Sequence, residues 1–306
     1  MENLRVIARG LMFPEGPVAQ EDGSIVLVEI ERETITRVTA DGRAEVLKKT
    51  GGGPNGLAVG PGGAFYLCNN GGFLFQTIAG YNRTRAGIHP DYTSGRIERF
   101  DPRTGELDTL YDRCGDYPLR GPNDLVFDSS GGFYFTDFGK NRLRDRDHGG
   151  LYYARADGAQ IVELVFPMTT PNGVGLSPDE RVVYVAETDT GRLWAFDVEA
   201  PGRIRKHPYP SPHGGRLLCT LTDFQRLDSM AVDANGNICV ATLTSGCITV
   251  VSPAGQILRQ VRLPDPIVTN ICFGGPDMKT AYITCSGTGQ LIAMDWPDPG
   301  LRLAFN

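Results

Sequence analysis

One sequence unit recurs six times along the 306 residues, and this repetition restricts the possible folds more than any other feature. Each copy has a short polar start, about four apolar residues, a turn built on Asp, Gly, Pro or Asn, and a second strongly apolar run. The copies begin at Pro14, Pro54, Pro122, Pro171, Leu227 and Thr269. Their starts are 40, 68, 49, 56 and 42 residues apart, a spacing typical of β-propeller blades.

The second half of each unit has the pattern of an outer β-hairpin. Asp41-Gly42, Asp157-Gly158 and Ala254-Gly255 occupy turn positions, and a total of 39 Gly and 21 Pro suits many tight turns. Two strands from each half give four-stranded blades. The last unit lacks an outer strand after Trp296, which residues 4–8 can supply, closing the ring. The sequence therefore predicts an all-β, six-bladed β-propeller, with residues 1–306 as one domain. Seven blades are the main alternative.

In a propeller, the first strand of each blade lines the central channel. The residue that opens this strand is Glu15, Asn55, Asn123, Asn172, Asp228 or Asn270 in the six units. All six side chains carry oxygen and none is basic, so two carboxylates converge without a partner cation. Carboxylate and amide oxygens suit a hard divalent cation. The pattern predicts a metal site in the channel. The alternative is that these residues cap turns, which Asn and Asp favour.

Several motifs carry a resemblance to a known family. They are PEGPV at 14–18, GPNDLVFD at 121–128, FYFTD at 133–137, PNGVGLSPDE at 171–180 and LDSMAVDANGN at 227–237. Together they resemble the gluconolactonase, senescence-marker-protein and luciferin-regenerating-enzyme family over residues 14–296. The resemblance implies a six-bladed propeller with one divalent metal in the channel. It implies Glu15, Asn172 and Asp228 as metal ligands, and the related diisopropyl fluorophosphatase adds Asn123.

The chain departs from the family pattern in two places. Residues 136–140 read TDFGK where many sugar lactonases have a Thr-Asp-Pro-Pro type of loop. Arg120 lies three residues before Asn123, whereas the senescence marker protein has an arginine two residues before its substrate-contacting asparagine.

The resemblance and the channel pattern together predict a metal-dependent lactonase that hydrolyses a small cyclic ester, such as a sugar lactone. We expect Asp228 to bind the metal and to activate water, and Asn123, Asn55 and Arg120 to contact substrate. Ca²⁺ suits the all-oxygen ligands best, with Zn²⁺, Mn²⁺, Mg²⁺ or Fe²⁺ as alternatives. Phosphotriester hydrolysis in the same site, or a non-enzymatic scaffold that binds proteins, are the alternative functions.

Residues 70–95 form an unusually long connection that is more aromatic than a plain connection between strands. It contains Phe73, Phe75, Tyr81, Arg83, Arg85, His89 and Tyr92. Long loops in compact domains are usually functional or disordered. We expect a lid over the channel mouth, with a surface excursion or a subunit contact as the alternatives.

Composition limits the partners and the location. A net charge of −6 and a pI near 5.3 argue against binding to nucleic acid or to an anionic membrane. The N-terminal apolar run is interrupted by Arg5 and Arg9, unlike a signal peptide, and the seven cysteines lack CxxC spacing. We therefore expect a cytoplasmic protein with reduced thiols that acts on a small molecule. The sequence does not specify the lactone, its ring size or the oligomeric state.

Overall fold

The computed structural model describes residues 3–306, and those residues contain strands and one 3₁₀ turn (Pro61–Gly63) but no α-helix. Within this range no helix has the length and hydropathy needed to cross a membrane. The first two residues of the predicted domain lie outside the described residues. The strands form six sheets arranged as blades, so the predicted all-β, six-bladed propeller is confirmed.

Strand β1 (Arg5–Arg9) precedes the first blade in the chain. Blade 1 contains β2 (Pro14–Ala19), β3 (Ile25–Glu29), β4 (Thr34–Val38) and β5 (Ala44–Lys49). The next stretch contains β6 (Pro54–Val59), β7 (Phe65–Asn69), β8 (Leu74–Ile78), β9 (Tyr81–Arg85), β10 (Arg96–Phe100) and β11 (Leu107–Tyr111). Of these, β6, β7, β10 and β11 form blade 2, whereas β8 and β9 form a separate hairpin.

A two-stranded ribbon, β12 (Arg113–Cys114) and β13 (Tyr117–Pro118), leads to blade 3. Blade 3 contains β14 (Pro122–Phe127), β15 (Gly132–Asp137), β16 (Gly149–Arg155) and β17 (Ile161–Met168). Blade 4 contains β18 (Pro171–Leu176), β19 (Val182–Glu187), β20 (Arg192–Ala200), β21 (Arg203–Arg205) and β22 (Arg216–Thr220). Blade 5 contains β23 (Arg226–Val232), β24 (Ile238–Leu243), β25 (Cys247–Val251) and β26 (Ile257–Arg262), and blade 6 begins with β27 (Val268–Gly274), β28 (Thr280–Cys285) and β29 (Gln290–Asp295).

The N-terminal strand closes the ring. Strand β1 pairs antiparallel with β29, with Arg5 opposite Ala293 and Arg9 opposite Gln290, and so becomes the outer strand of blade 6. The innermost strands of neighbouring blades contact one another around the axis, and β27 contacts β2. The predicted closure is therefore confirmed. It joins the two ends of the chain in one sheet and covers the free edge of β29.

Apolar clusters fill the junctions between blades. The junction of blades 2 and 3 holds Tyr66, Phe127, Phe133 and Phe135, all buried. Each of the other five junctions, including that of blades 6 and 1, has its own cluster of buried apolar residues. This packing explains the continuous apolar runs of inner strands such as β3 and β7, which are buried at every position, because both faces of each blade are covered by a neighbour.

Each innermost strand changes register at its channel residue or directly beside it. The shifts against the second strand lie between Glu15 and Val18, Pro54 and Leu57, Pro122 and Leu125, Pro171 and Val174, Leu227 and Met230, and Val268 and Asn270. An irregularity of this kind bends a strand and redirects a side chain. The polar channel residues therefore occupy positions where the ladder itself is interrupted.

Small residues allow the innermost strands to approach closely. A Cβ at Gly56 would lie 2.6 Å from the carbonyl oxygen of Asn123. A Cβ at Gly173 would lie 2.6 Å from the carbonyl oxygen of Asp228 and 2.8 Å from Cα of Ser229. Each glycine directly follows a channel asparagine in the sequence. One residue of each pair therefore allows the close backbone packing, and the residue before it supplies a polar side chain to the channel.

The structure adds strands that the repeat did not predict. Blade 4 has a fifth strand because β20 is nine residues long: its second half pairs with β21 and its first half with β22. The long connection after β7 forms the β8–β9 hairpin. Neither element recurs in another blade, so the comparison of repeats could not reveal them.

We predict that Gly173→Ala lowers the free energy of unfolding by about 3 kcal/mol, the upper end of the usual range for overpacking, because the added Cβ meets backbone. Gly62→Ala is the matched control: its Cβ meets nothing within 4 Å, and only its φ of 73° adds strain of about 1 kcal/mol. Urea unfolding measures both. Equal losses at the two positions would contradict the argument from close approach.

Candidate functional site

Five of the six channel residues line one cavity of about 330 Å³ at the same end of the propeller. They are Glu15, Asn55, Asn123, Asn172 and Asp228, one from each innermost strand of blades 1 to 5. The sixth, Asn270, turns aside: its Nδ2 donates to Glu15 Oε2 at 2.7 Å, and its Oδ1 accepts from the amide of Ile271. It lines a smaller, mostly apolar cavity of about 100 Å³ at the opposite end of the channel.

The two carboxylates of this cavity are buried without an ion-pair partner. Glu15 is 2% and Asp228 is 8% exposed, and neither lies within 4 Å of a basic nitrogen among residues 3–306. Burial, followed by the negative charge of Asp228, raises the pKa of Glu15 well above its usual range. Burial likewise raises the pKa of Asp228, although the side chain of Asn172 opposes the shift. Two carboxylates in this setting favour either a bound proton or a bound cation.

The amide side chains beside the carboxylates have free acceptor capacity. Asn123 Oδ1 is buried and accepts no hydrogen bond from any described residue. Asn172 donates from Nδ2 to Thr188 Oγ1 at 3.1 Å, and its Oδ1 lies 3.4 Å from Ser229 Oγ. A buried acceptor left without a donor is unfavourable unless a ligand or water occupies the space before it.

The donor set fits a hard divalent cation. Within residues 3–306, no group of three or more His, Cys, Asp or Glu side chains has the arrangement of a metal site. An ion in the channel would therefore need amide oxygens in addition to Glu15 and Asp228. The unpartnered oxygen of Asn123 meets this need, and two carboxylates with neutral oxygens are ligands that Ca²⁺ accepts.

Asp124 is a third buried carboxylate, which the sequence analysis did not select. Its Oδ1 accepts from the amide of Leu125 at 2.9 Å, its Oδ2 from the amide of Val174 at 3.4 Å, and burial raises its pKa to about 7. The side chain lines the smaller cavity at the opposite end of the channel. The residue directly follows Asn123, so the repeat alignment contained its position without indicating its burial.

The β8–β9 hairpin, residues 74–85, is tied to blades 1 and 6 at the mouth of the 330 Å³ cavity, and we call it the mouth hairpin. Phe75 packs on Phe13 with ring centroids 5.1 Å apart. Asn82 donates from its backbone to the carbonyl of Gly287 at 2.8 Å and from its side chain to Glu31. Following the hairpin, Gly87 donates to the carbonyl of Asn141 at 2.9 Å. The segment predicted as a lid therefore contributes a wall of this cavity.

Lys140 is a buried cation on the same cavity, and it too was not selected from the sequence. Its Nζ donates to the carbonyl of Gly72 at 2.9 Å and lies 3.4 Å from Asn70 Oδ1. The ammonium also lies 4.8 Å from the ring centroid of Phe73 and 4.7 Å from that of Tyr92. Burial lowers its pKa to about 8, so it remains mostly protonated at neutral pH. Only its place in the atypical TDFGK sequence at residues 136–140 could have drawn attention to it.

Arg120 does not line the cavity that the other predicted site residues share. Its side chain is exposed and lines a neighbouring cavity of about 520 Å³, together with Arg146, His148 and Phe166. Its backbone amide donates to the buried Asp137 carboxylate at 2.7 Å, which holds this loop against blade 3. A substrate contact by Arg120 stays a prediction from the resemblance.

Comparisons with known proteins agree with this architecture. Residues 13–287 match the family model described as the SMP-30/Gluconolactonase/LRE-like region. The lactonase drp35 of Staphylococcus haemolyticus is 29% identical over 263 residues, covering 85% of this chain and 72% of that protein. The gluconolactonase of Zymomonas mobilis is 27% identical over 312 residues, covering 92% of this chain and 79% of that protein.

Solved structures share the fold at lower identity. A gluconolactonase from Xanthomonas campestris superposes with a TM-score of 0.74 at 22% identity, covering 96% of this chain and 89% of the other. Regucalcin from Agrobacterium tumefaciens, described as a calcium-binding protein, superposes with a TM-score of 0.74 at 19% identity, covering 98% and 97% of the two chains. At these identities the similarity concerns the fold alone.

We predict that Phe75→Ala increases hydrogen exchange of residues 74–85 about tenfold, because the variant loses an aromatic contact that fastens the mouth hairpin to blade 1. Exchange in the blade strands stays as in the wild type. Phe305→Ala is the control, since Phe305 packs on Phe127 beside the other end of the channel, with centroids 5.5 Å apart. Unchanged exchange in the hairpin of Phe75→Ala would show that its other tethers suffice.

Proposed function

The chain belongs to the SMP-30/Gluconolactonase/LRE-like family, and from this membership and the channel geometry we propose that it is a hydrolase that opens lactones with the aid of one divalent cation. Relatives along most of the chain are named lactonase or gluconolactonase. The observation that carries the proposal is the pair of unpaired, buried carboxylates beside the unpartnered amide oxygen of Asn123. That arrangement lies on the wall of a cavity of about 330 Å³.

The proposed ligands are Glu15, Asn123, Asn172 and Asp228. A divalent cation held there would act as a Lewis acid on the lactone carbonyl. Glu15 is positioned for this role by Asn270 and by the backbone amide of Gly16, whose hydrogen bonds to Oε2 are 2.7 and 2.6 Å long. We favour Ca²⁺ because all the proposed ligands are oxygens; Zn²⁺, Mn²⁺, Mg²⁺ and Fe²⁺ remain alternatives for the experiment.

Asp228 is the proposed general base. It accepts a proton from water as the water oxygen bonds to the carbonyl carbon, and the ring C–O bond then breaks as the proton passes to the leaving oxygen. The product is the open hydroxy acid. A cation held beside Asp228 keeps the carboxylate ionised despite burial, which the role as base requires.

Asn55 and Asn123 are the proposed substrate contacts at the base of the cavity. Both are buried, with 4% and 5% exposure, and both line the space a lactone would occupy. Apolar walls of Phe13, Phe73 and Phe138 would pack against the lactone ring and exclude water from the carbonyl. Arg120 lines the neighbouring cavity and has no role in this mechanism.

We predict that chelation abolishes lactone hydrolysis and that Ca²⁺ or another divalent cation restores it. Proton release in weak buffer, measured over a panel of sugar and alkyl lactones, gives the rate. Adding the cation to chelated protein also raises the melting temperature, because it binds only the folded site. Full hydrolysis by protein shown to be free of metal would refute the metal requirement. Cation binding without hydrolysis of any lactone would favour the phosphotriesterase or scaffold alternatives.

We predict that Glu15→Gln and Asp228→Asn each lower kcat/KM for lactones at least about 100-fold, the usual effect of removing one electrostatic contribution to an acyl-transfer transition state. Glu21→Gln, the same change at an exposed carboxylate that forms no ion pair in residues 3–306, keeps wild-type activity. Circular dichroism verifies folding. A variant with near wild-type turnover would remove its residue from the site.

A further inference from the structure

The channel cavity of about 330 Å³ carries more positive than negative side chains, although the whole chain has a net charge of −6. Its acidic lining residues are Glu15 and Asp228, and its basic ones are Arg83, Arg85, Lys140 and Arg226. Of the four, Arg226 is paired with Asp189, which also binds Arg146. The remaining three form no ion pair within 4 Å among residues 3–306. The cavity therefore holds an excess of unneutralised positive charge.

The two arginines, Arg83 and Arg85, belong to the mouth hairpin, and their side chains make no hydrogen bond or ion pair that would hold it in place among residues 3–306. They are two residues apart on β9, so they lie on the same face of the strand. Neither guanidinium donates a hydrogen bond to any residue of the described chain, in contrast to neighbouring Asn82, whose side chain fastens the hairpin to Glu31. Side chains that do not hold the hairpin in place are available to a ligand.

Lys140 adds a fixed charge to this group. An ammonium has three donors, and two acceptors, Gly72 O and Asn70 Oδ1, lie within 3.4 Å of Nζ. These two acceptors leave one N–H without a hydrogen-bond acceptor in residues 3–306, and Lys140 lines the cavity. No carboxylate of residues 3–306 lies within 4 Å of the buried Lys140 ammonium; Asp137 and Asp147 act on it from farther away, and the Phe73 and Tyr92 rings compensate for the burial only in part. Such an arrangement is typical of a functional residue.

We propose that the substrate is a lactone bearing an oxyanion substituent, a carboxylate or a phosphate, which Arg83, Arg85 and Lys140 bind at the cavity mouth. This inference rests on the proposed lactone hydrolysis and specifies its substrate class. The unpaired basic groups at the mouth, Arg83, Arg85 and Lys140, attract the anion, whereas Glu15 and Asp228 at the base would be occupied by the proposed cation. A substrate would therefore be oriented with its anion toward the hairpin and its ring carbonyl toward Asp228.

The experiment compares kcat/KM for three forms of one lactone: with a carboxylate substituent, with a phosphate ester, and with the neutral primary amide. We expect wild-type protein to favour one of the anionic lactones over the amide at least about tenfold, the usual effect of a hydrogen bond to a charged group. The anion that is preferred identifies the substituent. The preference should weaken as ionic strength rises, because Arg83 and Arg85 are exposed.

The variants test whether these residues provide the preference. In Arg83→Gln/Arg85→Gln, and separately in Lys140→Met, the ratio of anionic to neutral kcat/KM should fall about tenfold. Arg302→Gln removes one positive charge, as Lys140→Met does; Arg302 is exposed, beside Leu301 and Leu303 at the opposite end of the channel, and this variant should keep the wild-type ratio. Equal rates for charged and neutral lactones in the wild type, or an unchanged ratio in the double variant, would overturn the proposal.

A binding measurement separates this proposal from the proposed reaction. Calorimetry compares the open hydroxy acid that bears a second carboxylate, its phosphate counterpart and its monoamide. If the wild type hydrolyses no lactone, the proposed function fails, but tighter binding of either charged form, lost in Arg83→Gln/Arg85→Gln, still supports an anion site at the mouth. Equal binding of all three compounds overturns that site independently of catalysis.

Discussion

The convergence of six innermost strands on one axis is the constraint on which the rest of the molecule depends. Blades can close into a ring only if these strands pack backbone against backbone, which glycines such as Gly56 and Gly173 allow. The ladder is interrupted where the strands come together, and each interruption directs a polar side chain to the channel. Ring closure thus creates a polar centre, and the sequence determines which polar groups are left without partners.

That centre is unfavourable for folding in its bare form. The pKa values of Glu15, Asp124 and Asp228 are all raised, first of all by burial, which means that folding removes hydration from three carboxylates without supplying a cation. Apolar residues at the same positions would fold more easily. Residues that lower the free energy of unfolding locally are typical of functional sites. Here the apolar clusters between blades offset the cost of burying these carboxylates.

The sequence predicts what repeats and misses what occurs once. Blade number, ring closure by the N-terminal strand and the convergence of Glu15, Asn123, Asn172 and Asp228 followed from aligning six copies. The side chain of Asn270 occupies an equivalent position, yet it donates a hydrogen bond to Glu15 in the neighbouring blade. The two residues are 255 positions apart in the sequence, so this contact could not be read from the repeat. Lys140 and the mouth hairpin have no counterpart in other copies, so the burial of Lys140 and the position of the hairpin depend on long-range packing that an internal alignment does not contain.

The two layers of the cavity come from different kinds of structure. The acidic base is built from bulged strands whose backbone is fixed by the ring, so ring closure determines where its side chains lie. The basic mouth is built from one hairpin and one loop, attached by a few contacts such as Phe75 on Phe13 and Asn82 on Glu31. Loops accept substitution more readily than innermost strands. The chemistry proposed for the base can therefore stay constant while the mouth changes the substrate, and the charge of the mouth, rather than the base, should distinguish this chain from other propellers with the same channel.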